Sequence, residues 1–407
     1  MEFKKKILDN GLVIIGEMNP AAQSAAIGFF TKTGARDETE QISGVSHFLE
    51  HMLFKGTDKL SALEVNEAFD KTGAKFNAFT SEENTVYYAA VLPEHLSEVT
   101  GLWCQLMRPR LGDDDFNIEK NVIKQEIAMY KDMPHFDVMD RCKSLHFSGH
   151  PCGNSVLGTN ESIDGLEAEQ MREYFNTRYA PNNISVGCSG NFDFDQVCEL
   201  IDKLCGNWQS KEVYRQTTFF EGTRQKCNEV NSTLSREHIC LMSPAISFQD
   251  ERSYAGTLLA MIIGDDVGSR FFWALVDTAI AETATMNCDA MDGVGAFYSY
   301  IRTGSESAGQ VMEKVEEIFA SLAKDGVTSQ ELQTAKNKVL STLTIKNEVP
   351  MGRLLDLGFN WTYMKKYHTV DEEIEKIKAV SLGDINSMIA EFAPGNFTRL
   401  SVGPGQS

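Results

Sequence analysis

The stretch SGVSHFLEHMLFKGT, residues 43–57, decides how the rest of the chain is interpreted. It predicts a helix that carries His47 and His51 one turn apart, with Glu50 between them. Residues four apart on a helix share a face, so both imidazoles can point at one metal ion. Glu50 lies at the edge of that face, where it could take a proton from water without being a ligand. We therefore predict that this helix binds a metal ion.

The residue order H-x-x-E-H is the reverse of the thermolysin-type signature and is typical of the inverzincin metalloproteases. A zinc site with two His needs a third protein ligand, usually a carboxylate, and leaves one position open for water. The acidic helix predicted at about residues 113–131 offers Glu119 and Glu126, seven apart and therefore nearly on one face. One of them could bind the metal while the other orients a histidine. The pattern alone does not say which.

Length and composition indicate an ordinary globular protein. A chain of 407 residues suggests about two domains, and its 42% hydrophobic and 24% charged residues are typical values. No apolar run approaches the ~18–20 residues that span a bilayer, and the N-terminus lacks the features of a signal peptide. The nine cysteines are an odd number without a C-x-x-C pair, which indicates reduced thiols. We therefore expect a cytoplasmic protein without a membrane segment.

The net charge of −20, from 58 acidic and 38 basic side chains, argues against nucleic acid and anionic membranes as partners. An acidic concave site would attract basic peptides by long-range steering. An acidic surface that serves only solubility explains the same charge equally well.

Strand-like and helical segments alternate in a pattern that predicts an α+β fold with mostly antiparallel sheets. Asn10-Gly11 between two strand-like runs is a strong signal for a hairpin with a two-residue turn, and residues 33–43 are predicted to be a polar loop. Residues 208–227 are polar and irregular, and the pattern restarts beyond them. We therefore predict two homologous domains, 1–210 and 225–407, joined by a linker at 211–224.

Further segments resemble the pitrilysin family, in the branch that holds the mitochondrial processing peptidase and its bacterial relatives. The matching segments span residues 1 to about 200. They are HFLEHMLFKGT at 47–57, NAFTSEENTVYY at 77–88, Glu119 with Glu126, HPCG at 150–153 before Gly158-Thr159, and YAPNN at 179–183. In the family the ligand Glu follows the second His by about 75 residues. The interval 126 − 51 = 75 selects Glu126 as the third ligand, and Glu119 then matches the supporting Glu.

This resemblance implies a zinc endopeptidase with one Zn²⁺ per chain, bound by His47, His51 and Glu126, and with Glu50 as the catalytic base. It also implies a half-clamshell of two homologous α+β domains, two such halves closing over a chamber. An extended peptide would add as a strand to the sheet edge near residues 75–80, which suits broad specificity. Asn77, Ala78 and Phe79 would contact this substrate. Asn77 would hold a substrate carbonyl or the catalytic Glu, or else be an edge residue without a catalytic role.

The second half of the chain departs from the family pattern. There a segment similar to S-R-L-F-x-x-L-R-E-K-x-G-L-A-Y usually supplies an Arg and a Tyr that stabilise the tetrahedral intermediate. Residues 269–283 read SRFFWALVDTAIAET, with Val276 and Thr283 at those positions. We therefore predict a dimer. Either a related subunit supplies the pair, or Arg270, Tyr298 or Arg302 substitutes for it in a homodimer.

A non-catalytic scaffold, similar to the core proteins of the respiratory bc complex, is the alternative function. The complete H-x-x-E-H motif and both glutamates favour the enzyme, because a scaffold has no need of a water-activating carboxylate.

Overall fold

The computed structural model describes residues 1–405, which form two compact units. The first unit comprises residues 1–128, 154–215 and 344–368. The second comprises residues 129–153, 216–343 and those from 369 onward.

The strands and helices of the described residues are numbered in chain order. The strands are β1 (Glu2–Ile7), β2 (Val13–Met18), β3 (Ala25–Thr31), β4 (Lys75–Thr80), β5 (Thr85–Val91), β6 (Ile184–Gly190), β7 (Lys226–Val230), β8 (Glu237–Ala245), β9 (Thr283–Ala290), β10 (Gly295–Thr303) and β11 (Thr398–Gly403). The helices are α1 (Val45–Leu53), α2 (Ala62–Thr72), α3 (Leu96–Leu106), α4 (Asp113–Lys131), α5 (Pro134–His146), α6 (Asn160–Gly165), α7 (Ala168–Arg178), α8 (Phe194–Cys205), α9 (Ser253–Gly264), α10 (Ala308–Asp325), α11 (Ser329–Asn347), α12 (Pro350–Met364), α13 (Val370–Ala379) and α14 (Leu382–Phe392).

The sheet of the first unit has the strand order β1-β2-β6-β3-β5-β4. Its neighbouring strands are antiparallel except for the parallel pair β2–β6. The predicted hairpin is present, with Gly11 in the left-handed region at φ 86°. Its last paired residues are Ile7 and Val13, so the connection is longer than the predicted two-residue turn. Strand β4 pairs only with β5, so it forms one edge of the sheet.

The sheet of the second unit has the order β7-β11-β8-β10-β9, which repeats the order β2-β6-β3-β5-β4 of the first. Its one parallel pair within the described residues, β7–β11, occupies the place of β2–β6. The predicted α+β class, with two homologous domains and mostly antiparallel sheets packed with helices, is confirmed. None of the helices in residues 1–405 is both long and apolar enough to cross a membrane.

Each unit includes one helix from the distant part of the chain. Helix α12 packs on β3 and β6 of the first unit, where Leu354 joins a buried cluster with Phe30. Helix α5 packs on β8 and β11 of the second unit through Val138 and Cys142. The compact units are therefore discontinuous, whereas the sequence pattern predicts the continuous domains 1–210 and 225–407. The apolar face of a helix can be found from its sequence, but the sheet that this face covers cannot.

Candidate metal centre

Helix α1 is oriented by its apolar face. The helix begins after Gly44, whose φ of 92° is accessible to glycine, and it runs to Leu53. The large apolar side chains of this face are fully buried in the core of the first unit: Phe48, Leu49, Met52 and Leu53. Because this face points into the core, His47 and His51 lie on the side directed towards Glu126 of α4, and Glu50 is directed towards Thr80 of β4.

Helix α4 brings both candidate glutamates to this side of α1. Phe116, Ile123 and Ile127 are buried and fix the rotation of α4. The carboxylate Oε2 of Glu126 then lies 3.4 Å from Nε2 of His51 and 3.7 Å from Nε2 of His47.

One ligand atom from each of His47, His51 and Glu126 lies within 4.8 Å of the others. Within residues 1–405, these three residues are the one such group formed by His, Cys, Asp or Glu. The structure therefore brings together two imidazoles and one carboxylate in the combination predicted from the sequence. Two imidazoles and a carboxylate form a donor set that suits zinc.

The two histidines have opposite pKa shifts. Burial and the neighbouring charge of His51 lower the pKa of His47 to about 4. Burial would also lower the pKa of His51, but hydrogen bonds to Glu119 and Glu126 outweigh it and raise this pKa to about 9. The hydrogen bond to His51 lowers the pKa of Glu126. A carboxylate and a neutral imidazole are thus already in their metal-binding protonation states at neutral pH.

Glu119 lies behind His51 rather than beside Glu126. Its Oε1 accepts a hydrogen bond from Nδ1 of His51 at 2.9 Å, and its Oε2 lies 2.5 Å from Nζ of Lys55. Burial opposes ionisation of Glu119, but these two partners outweigh burial and lower its pKa. An Nδ1–H that donates to Glu119 leaves Nε2 of His51 directed at the cluster. Lys55 was not among the predicted site residues, although it lies four residues after His51, just past the end of α1.

Glu50 lies outside the three-residue cluster and has a different partner. Its Oε2 accepts a hydrogen bond from Oγ1 of Thr80 at 2.6 Å, and Thr80 is the last residue of β4. Burial raises the pKa of Glu50, although the hydrogen bond from Thr80 and the charge of His51 act in the opposite direction. A raised pKa suits a group that accepts and returns a proton near neutral pH.

The predicted peptide-binding residues lie on edge strand β4. Asn77 is exposed, and its Oδ1 accepts a hydrogen bond from the backbone N–H of Ala78 at 2.9 Å. Ala78 is buried, and Phe79 packs near Phe359. Successive side chains of a strand point to opposite faces, so Asn77 and Thr80 lie on different faces of the sheet. The residue of β4 that contacts Glu50 is therefore Thr80 and not Asn77.

The sequence of the chain is similar to that of known proteins over its whole length. A Bacillus subtilis protein named "Uncharacterized zinc protease YmxG" is 31% identical over 404 residues, which cover 99% of this chain and 98% of that protein. Residues 13–160 match the family "Insulinase (Peptidase family M16)", and residues 165–339 match "Peptidase M16 inactive domain". The chain belongs to peptidase family M16.

Solved structures show that the fold is also that of M16 proteins. A structure described as a protease from Helicobacter pylori superposes with a TM-score of 0.92 at 20% identity and covers 99% of both chains. A structure from Pseudomonas fluorescens, described as a peptidase M16 inactive domain, has a TM-score of 0.87 at 15% identity and covers 100% of this chain and 99% of that one. The predicted membership of the pitrilysin family, which is family M16, is confirmed. The branch of the mitochondrial processing peptidase stays a prediction.

One residue of this M16 site was missed by the sequence analysis, which predicted only a polar loop at 33–43. Two short 3-10 helices, Ala35–Asp37 and Glu40–Ile42, lie in this segment, with Glu38 between them. The buried Glu38 carboxylate accepts hydrogen bonds from the backbone N–H groups of Gly44 at 2.6 Å and Ser46 at 2.7 Å. A carboxylate at a helix N-terminus stabilises the helix. The spacing rules for helix caps do not identify Glu38, because it lies too far from α1 in the sequence.

Replacement of Glu38 should destabilise the first unit. In Glu38→Ala, two buried N–H groups lose their acceptor, and each such loss costs about 1–3 kcal/mol. We expect the free energy of unfolding, measured by urea denaturation, to fall by about 2–6 kcal/mol. Glu38→Gln keeps one acceptor oxygen and should lose less. Equal stability of Glu38→Ala and the parent would contradict this role.

The pH dependence of stability offers an independent check on Glu38. Burial raises the pKa of Glu38 from 4.5 to about 7, although the hydrogen bonds from Ser46 and Gly44 oppose this shift. Its contribution to stability is therefore fully present below about pH 4.5 and is lost as the pH rises through about 7. Glu38→Gln does not titrate and should show a smaller loss of stability between pH 5 and pH 8 than the parent.

Proposed function

We propose that this M16 chain is the catalytic subunit of a zinc-dependent endopeptidase that cleaves extended peptides or unfolded segments in a closed chamber. The observation that carries the proposal is the convergence of His47, His51 and Glu126 beside a separate, half-buried Glu50. The relatives named zinc proteases support the metal and the reaction class.

His47, His51 and Glu126 would hold the zinc ion, with Glu119 orienting His51. When bound, Zn²⁺ lowers the pKa of water and polarises the scissile carbonyl. Glu50 would accept the proton of the attacking water and transfer it to the leaving amine. This role leaves Glu50 free of the ligand set, in agreement with its hydrogen bond to Thr80 instead of to a histidine.

Edge strand β4 would orient the peptide. Its outer edge pairs with no other strand in the described residues, so its backbone groups can pair with an added strand. Asn77, Ala78 and Phe79 would contact the substrate there, and an open groove beside them is lined by Lys75, Phe76, Tyr88 and Met351 among others. Backbone pairing recognises almost any sequence, which suits a peptidase of broad specificity.

The alternative function, a non-catalytic scaffold, has weaker support. The match to the inactive domain covers residues 165–339, so it does not include His47, Glu50, His51 or Glu126. A half-buried base of raised pKa beside a convergent donor set is an arrangement expected of an active site.

The ligand assignment predicts different effects for the two glutamates. The parent should bind about one Zn²⁺ per chain. Glu126→Gln removes a ligand and should weaken zinc binding by more than ~10²-fold, whereas Glu119→Gln should weaken it by about 10–100-fold. Titration against a chromophoric chelator measures both changes. Asp114→Asn, at an exposed site on the same helix, is the matched control and should bind zinc like the parent.

The assignment would be wrong if Glu126→Gln bound zinc as tightly as the parent while Glu119→Gln lost it.

If Glu50 is the base and not a ligand, its replacement should lower turnover without lowering zinc binding. Glu50→Gln should keep its zinc but lose at least ~10²-fold in kcat, a typical contribution of a general base. Cleavage of a quenched basic peptide, with and without a chelator, measures turnover, and metal analysis measures zinc. Glu67→Gln, on the exposed face of α2, should retain full activity. A Glu50→Gln protein that sheds its metal, or that keeps full activity, contradicts the role.

We further propose that a second, related subunit completes the site. In the second unit, Val276 ends a short π-helix and Thr283 begins β9. Val276 has no side-chain hydrogen-bond donor, and Thr283 is shorter than the expected Tyr. Two of the residues that could replace the missing pair are arginines, and both form ion pairs. Nε of Arg270 lies 2.7 Å from Oε1 of Glu331, and Nε of Arg302 lies 2.8 Å from Oε2 of Glu282. These ion pairs favour a heterodimer over a homodimer in which one of the two arginines acts on substrate.

The lone chain should therefore be slow. Loss of one oxyanion donor costs about 2.7–4 kcal/mol, so we expect turnover at least ~10²-fold below that of the chain co-expressed with an M16 subunit that carries the Arg and Tyr. A pair assembled with the Glu50→Gln chain is the control and should be inactive. Full activity of the lone chain, abolished by Arg270→Gln or Arg302→Gln, would instead support the homodimer.

A further inference from the structure

We propose that Thr80 is a positioning residue for Glu50, holding one carboxylate oxygen so that the other faces the attacking water. This inference rests on the proposed function, because it assumes that Glu50 is the base. It assigns a role to a hydroxyl at the end of the strand that would also bind the peptide.

The contact between the two side chains is short and specific. Oγ1 of Thr80 lies 2.6 Å from Oε2 of Glu50, a length typical of a hydroxyl bound to an ionised carboxylate. The other oxygen, Oε1, accepts no hydrogen bond from any residue in the described part of the chain. One oxygen of Glu50 is thus held while the other is available to accept a proton.

The single hydrogen of Thr80 has two possible acceptors. They are Oε2 of Glu50 at 2.6 Å and Oγ1 of Thr85 at 3.5 Å, and Thr85 itself donates to the backbone carbonyl of Thr33 at 3.0 Å. A hydrogen bond to a carboxylate is shorter and stronger than one to a neutral hydroxyl. The hydrogen of Thr80 is therefore directed at Glu50.

The backbone around Thr80 is held by buried groups. Thr80 pairs with Thr85 in the β4–β5 ladder, and the turn between them closes with Ser81 N–H donating to the Asn84 carbonyl at 2.8 Å. Within that turn, Glu83 forms a buried ion pair with Arg36 and accepts a hydrogen bond from Tyr363 at 2.7 Å.

A flexible glutamate is therefore tied to a donor on a rigid strand. Free rotation of the Glu50 side chain would spread its carboxylate over several rotamers and reduce the productive fraction. Because β4 would also bind the peptide, the base and the substrate backbone would be positioned by the same strand.

The test compares two substitutions at Thr80 that differ in the hydroxyl. Thr80→Val keeps the branched shape and suits a strand, but it removes the donor. Thr80→Ser retains the donor. We expect Thr80→Val to lower kcat by about 10–10²-fold with KM and zinc content within about twofold of the parent, and Thr80→Ser to recover most of kcat.

Thr31→Val is the matched control. Its buried hydroxyl has no hydrogen-bond partner within residues 1–405, so its removal should leave kcat unchanged. Unchanged kcat in Thr80→Val, or a loss that Thr80→Ser does not recover, would overturn the proposal.

Crystal structures of the same variants give a measurement that does not depend on hydrolysis. The Glu50 carboxylate should occupy one position in the parent and in Thr80→Ser, and several positions or a new one in Thr80→Val. A Glu50 that stays in place in Thr80→Val overturns the role of Thr80. The proposed function is contradicted if the parent binds zinc but cleaves no peptide, either alone or with a subunit that carries the Arg and Tyr. The crystal structures would still show in that case whether Thr80 positions Glu50.

Discussion

Burial of the apolar face of α1 determines the direction of every polar side chain on that helix. Phe48, Leu49, Met52 and Leu53 are at most 1% exposed. At about 1.5–3 kcal/mol each, these four side chains contribute roughly 6–12 kcal/mol, an upper estimate. This gain is large enough to hold His47 and His51 side by side, with ring centroids 4.7 Å apart, although both lose solvation there. The convergence of these two histidines with Glu126 is therefore a consequence of core packing on the opposite face of one short helix.

The charged side chains around His47, His51 and Glu126 alternate in sign. Glu126 lies next to both histidines, Glu119 lies behind His51, and Lys55 neutralises the far oxygen of Glu119. Burial raises the pKa of Glu119, but the hydrogen bond from His51 and the ion pair with Lys55 outweigh burial and lower it. Glu119 therefore stays ionised and fixes the orientation of the His51 ring. A cation that replaces the proton on Nε2 of His51 would then bind to donor atoms that are already in position.

The two units show that one fold can carry different sets of side chains. Their sheets share a strand order and a parallel pair in the same place, yet the described part of the second unit holds no convergent group of metal-binding side chains. In the second unit, charged residues such as Arg270 and Arg302 form ion pairs within the unit. The fold provides the scaffold, and a few side chains on α1 and α4 provide the site.

The sequence alone determined those features that depend on local spacing. The interval between His47 and His51 defines one face of a helix, the hairpin at Asn10-Gly11 follows from turn chemistry, and the alternation of helices and strands gives the α+β class. The choice of Glu126 over Glu119 required the family resemblance, because both lie on nearly the same face of α4.

Tertiary structure decided the contacts between residues distant in the chain. The spacing rules for caps do not connect Glu38 to α1, nor can they relate Thr80 to Glu50, 30 residues earlier. The sequence likewise does not predict that α5 packs on the sheet of the second unit and α12 on the sheet of the first. An apolar helix face indicates that the face is buried, but it does not indicate which sheet covers it. Local periodicity reflects the backbone geometry of a single element, whereas the partner of each face is set by how all the elements pack together.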